Sequence, residues 1–254
     1  MNKKNYLSHI EQELWEQLKD KEIVDNELLS IIFPDIPKAS QNKVLHTLFS
    51  KGRIQRAKKG LYYNPNRLTS IHKLALAIGS GYIGLSSALR HHGLLDYEDF
   101  TVFVITRKLR KNVNLKEYSI KFIPLGGLYT GFKKDGEIYV STVEKTIVDC
   151  LQKPRHVGLS NITKAISEAK IEWKEFERFL AMTKNKSLHQ RTGYLLDMLQ
   201  NATGLTVPHS LMNNLLKSAS QPVKLASGKS SSTFNHKWKV QDNVGEKNIL
   251  SWWY

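Results

Sequence analysis

The first 63 residues carry three short helical repeats of apolar side chains, and two four-residue β-prone pieces follow the third directly. This order constrains the fold more than any other feature, because a lone hairpin is marginal in water and must close onto the helices before it. Leu7, Ile10, Leu14, Trp15 and Leu18 recur at three- and four-residue steps and predict one face of a first helix. Val24 then Asp25 open a second, short helix, with Asp25 as its N-cap and Leu28, Leu29, Ile31, Ile32 and Phe33 as its packing side, ended by Pro34. After Asp35-Ile36-Pro37 a third helix, capped by Ser40 or beginning slightly earlier, buries Val44, Leu45, Leu48 and Phe49 and stops at Gly52. Arg53-Ile54-Gln55-Arg56 and Gly60-Leu61-Tyr62-Tyr63 read as strands joined by Ala57-Lys58-Lys59-Gly60. Three helices running into a basic hairpin predict a winged helix-turn-helix over residues 1–67.

Pro65 to Thr69 reads as a linker, and at 254 residues the chain has room for a second, larger domain over 71–254. Its pattern is mixed. Helices are expected over 71–78, 85–92, 143–152, 162–169, 172–182, 190–201 and 208–217. Strands are expected over 100–106, 118–124 and 138–141, with 223–225 and 237–240 as closing strands. The whole is α+β, a winged helix-turn-helix followed by a larger mixed α/β C-terminal domain.

The formal net charge is +15, and its distribution matters more than its size. Residues 1–35 carry four Lys against eight Asp/Glu, whereas residues 36–95 carry ten Lys/Arg and no acid. An acid-free basic stretch favours a polyanionic partner, since each phosphate contact releases condensed counterions. The stretch begins just before the third helix, which makes double-stranded DNA the expected partner. Gln41, Asn42 and Lys43, at the N-terminal end of that helix, would reach base edges in the major groove, with Ser40, His46 and Thr47 as further DNA contacts. Lys38, Lys51, Arg53, Arg56, Lys58 and Lys59 would hold phosphates. Because the acid-free span runs on through Lys73 and Arg90, contact with DNA could extend past residue 70.

Other motifs carry less. Gly79-Ser80-Gly81-Tyr82-Ile83-Gly84 matches GxGxxG, but the Ala/Leu-rich segment before it reads as helix, so a helix-to-helix turn is expected there and not a dinucleotide site. Gly79-Ser80 with Asp96 and Glu98 has the residue types of a nucleotidyltransferase, in which two acids hold the catalytic metal. The strand follows those acids instead of carrying them, which favours a solvated acidic turn, and no enzymatic activity is expected. His91-His92 point about 100° apart on a helix, so no metal site and no cofactor are expected. Glu144 and Asp149 fit a buried structural ion pair better than catalysis. The single cysteine, Cys150, the absence of an apolar h-region near Met1 and the absence of a run of about 18 apolar residues together predict a cytoplasmic protein without membrane contact.

Several segments in order are similar to the AbiEi family of type IV toxin-antitoxin systems. They are Lys51-Gly52-Arg53-Ile54 through Lys59-Gly60-Leu61-Tyr62-Tyr63, then Tyr82-Ile83 with Ser86-Ser87-Ala88-Leu89 and His92-Gly93-Leu94. Ser141 through Asp149, Gln190-Arg191-Thr192-Gly193-Tyr194-Leu195-Leu196 and Trp238 continue the order. The resemblance implies an antitoxin that represses its own operon by binding inverted repeats in the promoter, with self-association on the DNA. It also implies a nucleotidyltransferase-like toxin as the functional partner, opposed without a stable complex. Thr142, where the family commonly has proline, the polar loop from Ser227 to Thr233 and the aromatic end Trp252-Trp253-Tyr254 depart from the pattern.

Overall fold

A computed structural model describes residues 7–96, 100–228 and 233–254. The first helix, α1 (His9–Leu18), opens on a capping box, in which the Ser8 hydroxyl accepts from the Glu11 amide and the Glu11 carboxylate accepts from the Ser8 amide. Leu14 and Leu18 are buried, while Ile10, expected on the same face, is exposed in the first turn. A short strand β1 (Ile23–Asp25) then precedes α2 (Asn26–Ile32). Val24 therefore lies in a strand, not at a helix start, whereas Asp25 caps α2 as expected by accepting from the Leu28 amide at 2.8 Å. Seven residues present only one inward face, so Leu29 is buried and Ile31 is left outside. After α3 (Lys38–Ser50), β2 (Gln55–Lys58) and β3 (Leu61–Tyr63) form the expected hairpin. β1 adds antiparallel to β3, giving the order β1-β3-β2.

The remainder is organised around a six-stranded mixed sheet in the order β6-β7-β5-β4-β9-β8. From the chain start, α4 (Ile71–Ile78), β4 (Tyr82–Ile83) and α5 (Leu85–His91) lead into β5 (Thr101–Thr106), β6 (Val113–Asn114) and β7 (Ser119–Pro124). The sheet is completed by β8 (Phe132–Asp135) and β9 (Ile138–Ser141). Helices α6 (Val143–Gln152), α7 (Leu159–Glu168), α8 (Trp173–Met182), α9 (Lys186–Thr203) and α10 (His209–Leu216) follow. A small three-stranded sheet from β10 (Val223–Lys224), β11 (Thr233–Asn235) and β12 (Val240–Asp242), and a short α11 (Glu246–Ile249), close the chain. The expected helices and the three long strands are all present, and the class is α+β. The strands that pattern reading missed are two to four residues long, too short for an alternation to register.

Three apolar clusters hold these layers together. One fills the three-helix unit around Leu18, Val24, Leu45 and Leu48. A second lies on one face of the large sheet, where Val102, Val104, Ile120 and Phe122 meet Leu74 and Ile78 of α4. Ala57, Leu61 and Tyr63 of the hairpin belong to this second cluster, so the hairpin is shared between the first unit and the sheet. The third covers the opposite face with α6 to α10 and the fully buried Trp238.

Two of the sequence segments singled out above prove to be packing devices. A methyl on Gly193 would come within 2.1 Å of the Trp238 ring, and Gln190 donates to the Trp238 and Lys239 carbonyls at 2.7 and 3.1 Å. Gly79 and Gly81 stand before strand β4, not in a helix-to-helix turn. Side chains there would strike Phe122 at 2.3 Å and the Ile105 carbonyl at 2.2 Å, so these glycines serve the close approach of α4 to the sheet. The aromatic end is partly docked, with Trp252 Nε1 donating to Thr163 Oγ1 at 2.9 Å while Trp253 and Tyr254 are exposed.

Candidate nucleic-acid interface

Helix α3 takes its orientation from three inward residues, Gln41, Leu45 and Leu48, spaced by four and three. Steps of 100° per residue then place Lys43 and Ser50 opposite the buried face and Lys38, Asn42 and His46 in one row along its flank, all of them exposed. Thr47 is half-buried, and its hydroxyl donates to the Lys43 carbonyl at 3.1 Å. Pro37 precedes the helix and no side chain caps it, so the positive end of the helix is not closed by an internal acceptor.

Of the expected contact residues, Gln41, Lys51 and Lys58 are placed differently. Gln41 is not exposed; it is 6% accessible, and its amide donates to the Phe33 and Ile36 carbonyls at 3.0 and 2.9 Å. The Phe33 carbonyl also accepts from the Ile36 amide at 3.2 Å, so the Gln41 amide adds a second bond to it and satisfies the Ile36 carbonyl. Ser40 is exposed but does not cap α3, which begins two residues earlier at Lys38. Lys51 pairs with Glu11 at 2.8 Å, tying α3 to α1, and that ammonium holds the Glu11 carboxyl below its usual range. Lys58 leans off the hairpin onto the C-terminal end of α4, donating to the Ala77 and Ile78 carbonyls at 3.2 and 2.6 Å.

The exposed cations next to α3 are Arg53, Arg56 and Lys59. Arg53 stacks over the Trp15 ring at 5.9 Å, and Arg56 Nε donates to the Lys58 carbonyl at 3.4 Å, within the hairpin itself. Gly60, at φ +76°, makes the turn that puts Lys59 at the hairpin tip.

Lys73 and Arg90, the cations of the expected extension, both have partners within the chain. Lys73 pairs with Glu22 at 3.3 Å and with Glu137, and Arg90 donates to the Thr101 carbonyl at 3.2 Å. A different basic surface lies beyond the C-terminal end of α4. Ser80, two residues past the Lys58 anchor at Ile78, lines a depression of about 390 Å³ with Arg107, Lys108, Arg110 and Tyr129. Arg107 to Lys111, all exposed, supply four cations in five residues between β5 and β6. That run is visible in the sequence; only the fold brings it to Ser80 and Tyr129.

The remaining candidates divide plainly. Asp96 is exposed and pairs with Lys164 at 2.6 Å, away from the depression that Ser80 lines; Glu98 lies outside the described residues. His91 and His92 have separate partners, Asp135 at 2.9 Å and the Ser141 carbonyl at 2.7 Å. Asp149 forms a buried ion pair with Lys145 one turn away, and burial raises its carboxyl to about 6. Glu144 instead accepts from the Glu172 amide at 3.2 Å. Among the described residues no helix is long and apolar enough to cross a membrane.

Neither a protein-family model nor a curated protein matches the chain. Its structure is similar to the crystal structure of the RV2827C protein from Mycobacterium tuberculosis, with a TM-score of 0.67 at 16% identity over 97% of this chain and 94% of that one. The likeness concerns the arrangement of the backbone across nearly both whole chains, and at that identity it speaks to the fold alone.

Proposed function

We propose that this chain is a DNA-binding repressor of the antitoxin type, acting in the cytoplasm on double-stranded operator DNA. The observation that carries the reading is the exposed side of α3, with Lys43 outward and Lys38, Asn42 and His46 along its flank, followed by Arg53, Arg56 and Lys59 in a stretch without a carboxylate. Helix, strand, two helices and two strands in sequence follow the order of a winged helix-turn-helix, in which the third helix enters the major groove. On this reading Asn42 pairs with an adenine edge, Lys43 with guanine or phosphate, and the hairpin and Arg53 hold the backbone. The AbiEi resemblance adds inverted repeats in the chain's own promoter as the target and a nucleotidyltransferase-like toxin as the functional partner. Footprinting of the full chain on its own promoter tests this. Protection of an inverted repeat that is lost in Asn42→Ala/Lys43→Ala is the expected result; equal affinity for the promoter and an unrelated duplex overturns it.

A further inference from the structure

A cavity of about 760 Å³ opens where the C-terminal end of α6 and the start of α7 face strand β10 and helix α9. Its volume lies within the range of small-molecule sites and is far from the α3 surface in sequence. Lys153, Arg155, Arg191 and Lys224 line it, and no carboxylate does. None of the four has an acidic partner among the described residues, which departs from the mixing of signs usual on a protein surface.

The cations are differently held. Arg191 is fixed, since its Nε donates to the Lys224 carbonyl at 2.7 Å, which leaves the terminal nitrogens of the guanidinium fork to meet an oxyanion. Arg155 and Lys224 are exposed at the rim. The first residues of α7, Gly158 to Ser160, also line the cavity, and no side chain caps that helix. Its positive end therefore adds to the field of the side chains.

The other walls carry different chemistry. Leu159, Leu225 and Val244 give the cavity an apolar side. A cationic end beside an apolar wall matches an oxyanion joined to a planar, weakly polar body, the combination a nucleoside monophosphate presents. We propose that this cavity binds a nucleoside monophosphate, with Arg191, Arg155 and Lys224 on its phosphate and Leu159 and Leu225 against its base. The site is independent of DNA binding by α3.

Isothermal titration of the full chain with AMP, GMP, CMP and UMP, and with adenosine and inorganic phosphate as controls, tests the assignment. One-site saturable binding of at least one monophosphate is expected, at least tenfold tighter than adenosine or phosphate alone. Arg155→Glu and Lys224→Glu lie on separate elements at the exposed rim, and each is expected to weaken binding at least tenfold with an unchanged circular dichroism spectrum. Absence of saturable binding by all four monophosphates at millimolar concentration overturns the proposal. So does phosphate binding as tightly as the nucleotide, or affinity unchanged in both variants.

Discussion

The ammonium of Lys58 lies 2.6 Å from the carbonyl oxygen of Ile78, so the hairpin after α3 is latched to the C-terminal end of α4. A cation there meets the unpaired carbonyls and the negative end of the helix, and it fixes the hairpin relative to the large sheet. Glu22 makes a second latch by accepting from Thr69 Oγ1 at 2.8 Å and from Lys73. The first unit and the sheet are thereby joined by apolar packing and by directed polar contacts.

The latch separates two lysines that are neighbours in sequence. Lys58→Met is expected to lower stability by about 1 kcal/mol, the size of a cation's interaction at a helix C-terminus, as read in urea unfolding. Lys59→Glu should leave unfolding within about 0.5 kcal/mol and weaken duplex binding in a gel shift. The reverse assignment of the two effects would show that Lys58, not Lys59, faces DNA.

Gln41 and Asn42 make a similar contrast on α3. Gln41→Leu removes the bonds to the part-buried Phe33 and Ile36 carbonyls, the second of which has its donor in Gln41, and should cost about 1–3 kcal/mol of stability. Asn42→Ala is exposed and should cost little stability, but should reduce discrimination between operator and mismatched DNA by about 1–3 kcal/mol. Unfolding curves paired with competition binding distinguish the two.

If the basic run after β5 touches the same duplex as α3, its loss will appear in the salt dependence. Arg107→Ala/Arg110→Ala in the full chain should reduce the slope of log affinity against log salt by about 0.9 for each phosphate contact removed. An unchanged slope would remove Arg107 and Arg110 from the DNA interface.

Burial, with Arg90 and His91 nearby, lowers His72 to about 4 in the folded chain. A histidine depressed in this way contributes stability that is present above its unfolded value near 6.5 and lost as pH falls through its folded value. Acidification from pH 6.5 to 4 should therefore reduce the stability advantage of the native chain over His72→Gln by about 2 to 3 kcal/mol. Chemical denaturation of both at several pH values checks this, and a constant difference would mean that His72 is solvated.

Lys145 and Asp149 are both almost fully buried on α6. Removing one leaves an uncompensated charge, so Lys145→Met is expected to cost about 3–5 kcal/mol. Lys145→Met/Asp149→Leu should recover most of that loss, because two packed apolar side chains replace a pair whose attraction had to offset two desolvations. A double-mutant cycle by thermal unfolding gives the coupling.

Much of the fold was legible in the residues. Helices of eight or more residues with apolar side chains at three- and four-residue steps declared themselves, as did β5, β7 and β9, because a period is readable once several turns or alternations repeat it. β1 was hidden because Val24 and Asp25 also look like a helix entrance, and three residues cannot show which pairing they will make. For the candidate site, the acid-free stretch pointed to α3 and the hairpin, and residue type alone could not say which polar side chains turn inward. Gln41 looked like a base reader because glutamine is usually exposed. It became a structural donor because the turn before it leaves two carbonyls facing its amide.

The sequence by itself determined the helices, the hairpin, the asymmetry of charge and the α+β class, since propensity, periodicity and composition act within short windows. Tertiary structure decided what those pieces do to one another. It committed Lys51 to Glu11, Lys58 to α4 and Lys73 to Glu22 and Glu137, and it brought Ser80 to the Arg107 segment. The physical reason is distance. An ion pair or a hydrogen bond acts over a few ångströms between residues tens of positions apart, and only the folded chain sets which of them meet.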